Sequence, residues 1–148
     1  MNNAVNELST GKREVINDQL IEQEWARIAF EFAETHSKVL SCVPDPSQIR
    51  LIKNADEVYE DFRKTFPNLE VAVVEEAVLK TEEVKPIWRE FSERYKNSVK
   101  DYNFGTLLRR DCQGEYDSEN TFIVVRIIFY AIEIARQKEG CYSSKIQK

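Results

Sequence analysis

Apolar residues recur along this chain at helical spacing, in runs separated by prolines and polar clusters. Ile21, Trp25, Ile28, Phe32, Val39 and Val43 fall at steps of three, four or seven, and Ala29, Ala33 and Leu40 widen the stripe. Gln23, Arg27, Glu34 and Lys38 occupy the other side, with Glu34 four residues ahead of Lys38, the favourable order for a surface pair. This pattern predicts a first helix over about 18–42. Pro44 and Pro46 end it, because each removes an amide donor and pushes the preceding residue toward an extended conformation. A second helix is predicted from Asn54, a good N-cap with Glu57 three residues on, and it carries the stripe Ala55, Val58, Tyr59, Phe62 and Phe66 up to Pro67. A third is predicted from Thr81 or Pro86 to Lys100, with Val84, Ile87, Trp88, Phe91, Tyr95 and Val99 on its face and Pro86 tolerable only near its start.

Two stretches read less simply. Over 69–80 the β-branched Val71, Val73, Val74 and Val78 suit a strand, whereas Glu75, Glu76, Ala77, Leu79 and Lys80 suit a helical turn. A short helix is the reading adopted. From Phe122 to Ala135 the chain is apolar apart from Arg126 and Glu133. Asp117-Ser118-Glu119-Asn120 offers caps before it, and Arg136, Lys138 and Gly140 supply a helix end after it. A long buried helix at the centre is therefore predicted, and a strand over 121–128 remains the alternative because Ile and Val dominate there. The expected fold is all-α: a compact single-domain helical bundle with a central apolar C-terminal helix. Its domain covers 18–140, between a flexible N-terminal tail, 1–17, and a C-terminal tail, 141–148.

Composition narrows the function. With 148 residues there is room for one core. A net charge of -5 argues against wholesale wrapping of nucleic acid, which feeds on Lys and Arg. Cys42, Cys112 and Cys141 are scattered and odd in number, suggesting neither a zinc site nor a disulfide framework, and a reducing cytoplasm fits. The polar start has no signal-peptide core, and the apolar run 122–135 is too short to span a bilayer.

Candidate chemistry is sparse. His36, the only histidine, lies on the edge of the first apolar stripe and reads as a packed, hydrogen-bonded ring before it reads as a base. Cys112 between Asp111 and Gln113 has no local base or oxyanion donor. Asp56, Glu57, Glu60 and Asp61 crowd one helix but read as a solvated face, so no metal is expected. With four glycines and no phosphate-loop or dinucleotide motif, no nucleotide cofactor is expected. Basic residues from Arg89 to Arg110 interleave with Trp88, Tyr95, Tyr102 and Phe104, which keeps an RNA-binding module as an alternative.

The most informative segment is Asp101-Tyr102-Asn103-Phe104-Gly105-Thr106-Leu107-Leu108-Arg109-Arg110, read as a connector between helical patterns. It holds more aromatic and aliphatic bulk than a connector needs, so it either plugs the core or meets a partner. Arg126, Glu133 and Arg136 pose the same choice. Glu133 and Arg136 can pair at i,i+3, and an arginine on so apolar a helix needs a carboxylate or several carbonyls. One reading is an internal ion network pinning the connector, with Asp111 or Glu133 as the partner of Arg126. The other is a polar stripe facing outward.

The string Asp101 to Arg109, followed by Asn120-Thr121, Arg126-Ile127, Phe129, Ala131 to Arg136 and Glu139-Gly140, resembles the polysaccharide biosynthesis domain-containing protein 1 family. Ala33-Glu34-Thr35, Val43-Pro44-Asp45-Pro46-Ser47, Phe66-Pro67 and Trp88-Arg89 support it, over about residues 20–140. The resemblance implies a small helical cytosolic protein, monomeric and not an enzyme. It also implies the role of a dedicated chaperone that binds newly made translation elongation factor 1-alpha through its GTP-binding domain, at the ribosome, with no membrane or direct nucleic-acid partner. Carried over by position, the contact set it implies is Asp101 to Arg109 with Arg126, Glu133 and Arg136. The family name also keeps a polysaccharide-biosynthesis or methyl-transfer enzyme as an alternative.

Overall fold

The computed structural model describes residues 11–142, in which five helices surround a two-stranded antiparallel sheet. The elements are α1 (Gly11–Cys42), a 3-10 turn (Pro46–Gln48), α2 (Ala55–Thr65), α3 (Glu76–Leu79), α4 (Lys85–Glu93), β1 (Gly105–Arg109), β2 (Thr121–Val125) and α5 (Arg126–Lys138). The all-α expectation is thereby corrected. Half of the connector becomes β1, and the first part of the expected last helix becomes β2. Strict alternation explains the second change: Phe122 and Val124 are buried while Ile123 is exposed, the period of a strand. In a helix that β-branched run would also lose side-chain freedom. The partner strand supplies the hydrogen bonds, with Gly105 opposite Val125 and Arg109 opposite Thr121.

α5 lies at the centre, as expected. Ile127 and every residue from Phe129 to Arg136 are buried, and α2, α4, β1, β2 and the 3-10 turn all pack on it. α1 packs on β1. The helix α1 begins at Gly11, ahead of the expected 18, so residues 11–17 are helical rather than tail; residues 1–10 of that tail lie outside the described part. At the other end the expected tail is tied in. Gly140 takes φ 81°, the left-handed turn that suits glycine. The Cys141 amide then returns to the Arg136 carbonyl at 2.9 Å, and Tyr142 is buried. Residues 143–148 are outside the described part.

Side chains hold the loops to this core. Gln137 donates to the carbonyls of Pro46 and Ile49, fixing the proline segment against α5. Arg63 of α2 grips Glu139 with two nitrogens at 2.7 Å and donates to the carbonyls of Phe66 and Leu69. Asn54 makes no side-chain cap bond, so the predicted capping box is not formed. α4 stops at Glu93 and turns carry the chain to Lys100, short of the helix predicted there. In the ambiguous 69–80 stretch both tendencies are realised: Glu76–Leu79 is the short helix, and Val73 forms an isolated bridge with Asp111.

Candidate functional site

The segment Asp101 to Arg109 does two jobs in succession. Asp101 turns the chain at φ 57°, a left-handed conformation that Asp tolerates better than most residues. The carbonyls of Phe104 and Tyr102 then accept the amides of Arg126 and Ile127 at 2.8 and 2.9 Å. Those are first-turn donors of α5, which have no partner inside the helix and no side-chain cap from Val125. The connector therefore caps the central helix with its backbone. Of its side chains, Asn103 and Phe104 are exposed, and Asp101, Tyr102 and Leu107 are half-buried. Gly105, Thr106, Leu108 and Arg109 are buried.

Arg109, Glu133 and Arg136 form an internal network. Arg136 Nη1 donates to Glu133 Oε2 at 2.8 Å, its Nε to the Val71 carbonyl at 2.6 Å, and its Nη2 to the carbonyls of Arg109 and Arg110 at 2.7 and 3.1 Å. Arg109 donates to the carbonyls of Cys112 and Gly114 and to the Tyr142 hydroxyl, and it lies 3.6 Å from Glu133. Tyr142 passes the bond on to Glu133 Oε1 at 2.6 Å. Burial alone would raise the Glu133 carboxyl, but Arg136 and Arg109 outweigh it and hold it at about 2. The same carboxylate raises the affinity of Arg109 for its proton against the opposing effect of burial. Burial also pushes the Tyr142 hydroxyl up.

Of the two readings open at the start, the internal network describes these three residues. They are 0–1% exposed and do not reach the surface as folded. Arg126 stands apart from them. Its partner is Asp101, at 3.3 Å, rather than Asp111 or Glu133, and its guanidinium lies 4.2 Å from the centre of the Phe32 ring. His36 is 7% exposed, bonds Tyr116 Oη through Nδ1 at 2.7 Å and sits edge-on to Phe129. Burial lowers its proton affinity, and burial raises the Cys112 thiol. Among the described residues no group of three His, Cys, Asp or Glu is placed to hold a metal. Among the described residues no helix is long and apolar enough to cross a membrane.

Sequence reasoning missed an opening in this region. A groove of about 460 Å³ runs between α4 and β2, lined by Trp88, Arg89, Tyr102, Asn103, Ile123 and Ile128 among others. Tyr102 stands over it with its hydroxyl donated to Glu93 at 3.1 Å. Phe122 to Val125 are all apolar, so the available signal was the β-branching of Ile123, Val124 and Val125; Ile123 is 43% exposed once β2 is a strand.

These features define a class: a helix-rich α/β domain with an internal ion network and an open apolar groove. Residues 21–147 match the PBDC1 protein family, and the chain belongs to it. The chain is similar to Protein PBDC1 of Mus musculus, with 46% identity over 124 residues covering 84% of this chain and 62% of that protein. For Protein PBDC1 of Homo sapiens the identity is 45%, covering 84% and 53%. For the Protein PBDC1 homolog of Saccharomyces cerevisiae it is 47%, covering 81% and 84%. The chain thus spans between half and two thirds of the two mammalian proteins. It is also similar to a protein of Saccharomyces cerevisiae solved by solution NMR, with TM-score 0.78 and 42% identity, covering 88% of this chain and 91% of that one.

Proposed function

We propose that this protein is a non-enzymatic cytoplasmic chaperone that captures newly made translation elongation factor 1-alpha through its GTP-binding domain and releases it on maturation. The resemblance carried by Asp101 to Arg109 motivates the client. The observation that carries a binding role is the apolar groove beside that segment, with Tyr102 and Asn103 in its lining and Phe104 39% exposed next to them. Open apolar surface edged by aromatic and basic residues suits anchors for another polypeptide.

Release follows from differential affinity. A client that covers its own unfinished surface on binding nucleotide no longer offers it to the chaperone. A difference of about 4 kcal/mol between the two client states changes occupancy roughly a thousandfold. The test is a titration of the isolated GTP-binding domain of elongation factor 1-alpha, nucleotide-free and then GDP-loaded, against the full chain. Tight binding to the first and loss with the second is expected. Equal affinity for both, or none for either, overturns the reading.

A further inference from the structure

The two outer edges of the sheet differ in how their backbone is served. Arg126 bonds across to Phe104, and Arg110 to Asn120. With the register of β1 and β2, this makes 104/126, 106/124, 108/122 and 110/120 the hydrogen-bonded pairs. The backbone groups of Thr121, Ile123 and Val125 therefore point away from β1. On the far side of β1, the Arg109 carbonyl faces outward by the same rule and is taken by Arg136. Just beyond it, the 72–74 segment pairs with 110–112. Among the described residues the outer amides of Gly105 and Leu107 have no backbone bond either, but α1 packs against β1. The outer edge of β2 has less cover: among the described residues the sheet stops at two strands, and no backbone bond reaches the amide of Ile123 or Val125.

That bare edge runs along the groove, whose lining includes Ile123, Val124 and Val125. Trp88 and Tyr102 line it too, giving the groove aromatic walls beside that edge. Lys80, Lys85 and Arg89 also line the groove, with one carboxylate, Glu93; Lys80 and Lys85 are paired with Glu76 and Glu82, so Arg89 is the lining cation without an ion pair among the described residues.

We infer that β2 accepts an added strand: an extended segment of another polypeptide, apolar at alternate positions and acidic at its flanks, pairing its backbone with Thr121, Ile123 and Val125. Strand addition draws affinity from main-chain hydrogen bonds and specificity from pockets for alternate side chains. Here the groove is the pocket, and Arg89 on its rim is the charge that favours an acidic flank. That the strand comes from the nascent GTP-binding domain rests on the function proposed above; the edge itself does not.

The probe is a capped synthetic peptide of alternating valine and threonine with aspartate at both ends, titrated into the full chain. Versions with N-methylated strand amides and with lysine ends accompany it. Binding with slowed hydrogen exchange at the Ile123 and Val125 amides, weakened roughly tenfold or more by N-methylation, supports the proposal. Equal binding of the N-methylated peptide, preference for lysine ends, or no slowing at those amides with either the peptide or the nucleotide-free GTP-binding domain overturns it. Because the N-methyl substitution is on the probe, folding of the protein is not at issue. Ile123→Pro is a second arm, since that amide has no bond to lose. Capture of the GTP-binding domain undiminished by Ile123→Pro overturns strand addition and leaves the chaperone reading standing. Peptide binding without capture of that domain supports strand addition and removes the chaperone reading.

Discussion

The β1 side and the β2 side of this small sheet present the same kind of backbone to opposite surroundings. Beside β1, Arg136 reaches across from α5 to take three carbonyls from two segments, and Glu133 neutralises it from below. Beside β2, Ile123 and its amide face a groove. The contrast teaches where charge belongs in this fold. Its arginine-rich network fixes the Arg109 end of one edge and the position of the connector, whereas the free edge is flanked by apolar side chains and Arg89. A contact surface made of Arg109, Glu133 and Arg136 would require the core to open; one made of Tyr102, Asn103, Phe104 and Ile123 requires nothing to move.

The sharpest way to break the comparison is to remove the carboxylate. Glu133→Ala leaves Arg109 and Arg136 buried with their charges uncompensated, and a loss of about 3–5 kcal/mol is expected in urea unfolding. A loss below about 1 kcal/mol would show that the carbonyls alone satisfy the arginines. Acid tests the same site without a mutation. The Glu133 carboxyl falls from 4.5 to about 2 on folding, so its contribution is complete above pH 4.5 and is lost as pH falls toward 2. His36, lowered by burial from 6.5, adds a loss in the same direction, beginning as pH drops through 6.5. Denaturation midpoints measured from pH 7 to 2.5 should therefore fall monotonically, and the acid limb should be shallower in Glu133→Gln if that variant folds, the remainder coming from other lowered carboxyls such as Asp61 and Glu139.

How the sequence foretold one edge and not the other follows from the range of the forces involved. Helical stripes such as Val58 and Phe62, or Trp88 and Phe91, are local patterns, and the helices that carry them form, although α4 ends at Glu93 rather than at Lys100. The Glu133–Arg136 pair is also local, three residues apart on one helix, so it was legible. The partners of Arg126 and Arg109 lie 25 and 24 residues away in sequence, at Asp101 and Glu133, and spacing does not choose among distant carboxylates. The sheet was missed for the same reason. Apolar β-branched residues from Thr121 to Val125 are consistent with either state until a partner strand is known, and β1 sits in a segment whose glycine and aromatics resemble a loop. The groove depends on that pairing and was invisible with it.

A smaller effect is expected where the connector turns. Asp101 holds a left-handed φ and also pairs with Arg126, so three substitutions separate the two roles. Asp101→Ala should cost about 1–2 kcal/mol, because alanine pays for the conformation and loses the pair. Asp101→Asn keeps the tolerated conformation and should cost less than about 1 kcal/mol. Asp101→Gly relieves the backbone and should fall at or below the asparagine variant. Thermal melts that rank alanine as the mildest would show that the turn is not under strain.

The smallest effect on stability belongs to Ile123, and there the comparison is most exposed to refutation. Its side chain is 43% exposed, and threonine keeps the β-branch that suits a strand, so Ile123→Thr should shift unfolding by no more than about 0.5 kcal/mol. Glu133→Ala, by contrast, should destabilise the protein strongly without identifying any binding surface. If the groove beside β2 is where a partner sits, Ile123→Thr should weaken capture of the nucleotide-free GTP-binding domain several-fold while the melt stays in place, since the lost methyl groups would have faced the partner rather than the core. A melt that drops by several kcal/mol with unchanged capture would reverse the assignment: Ile123 would then be part of the packing, and both edges of the sheet would serve the fold alone.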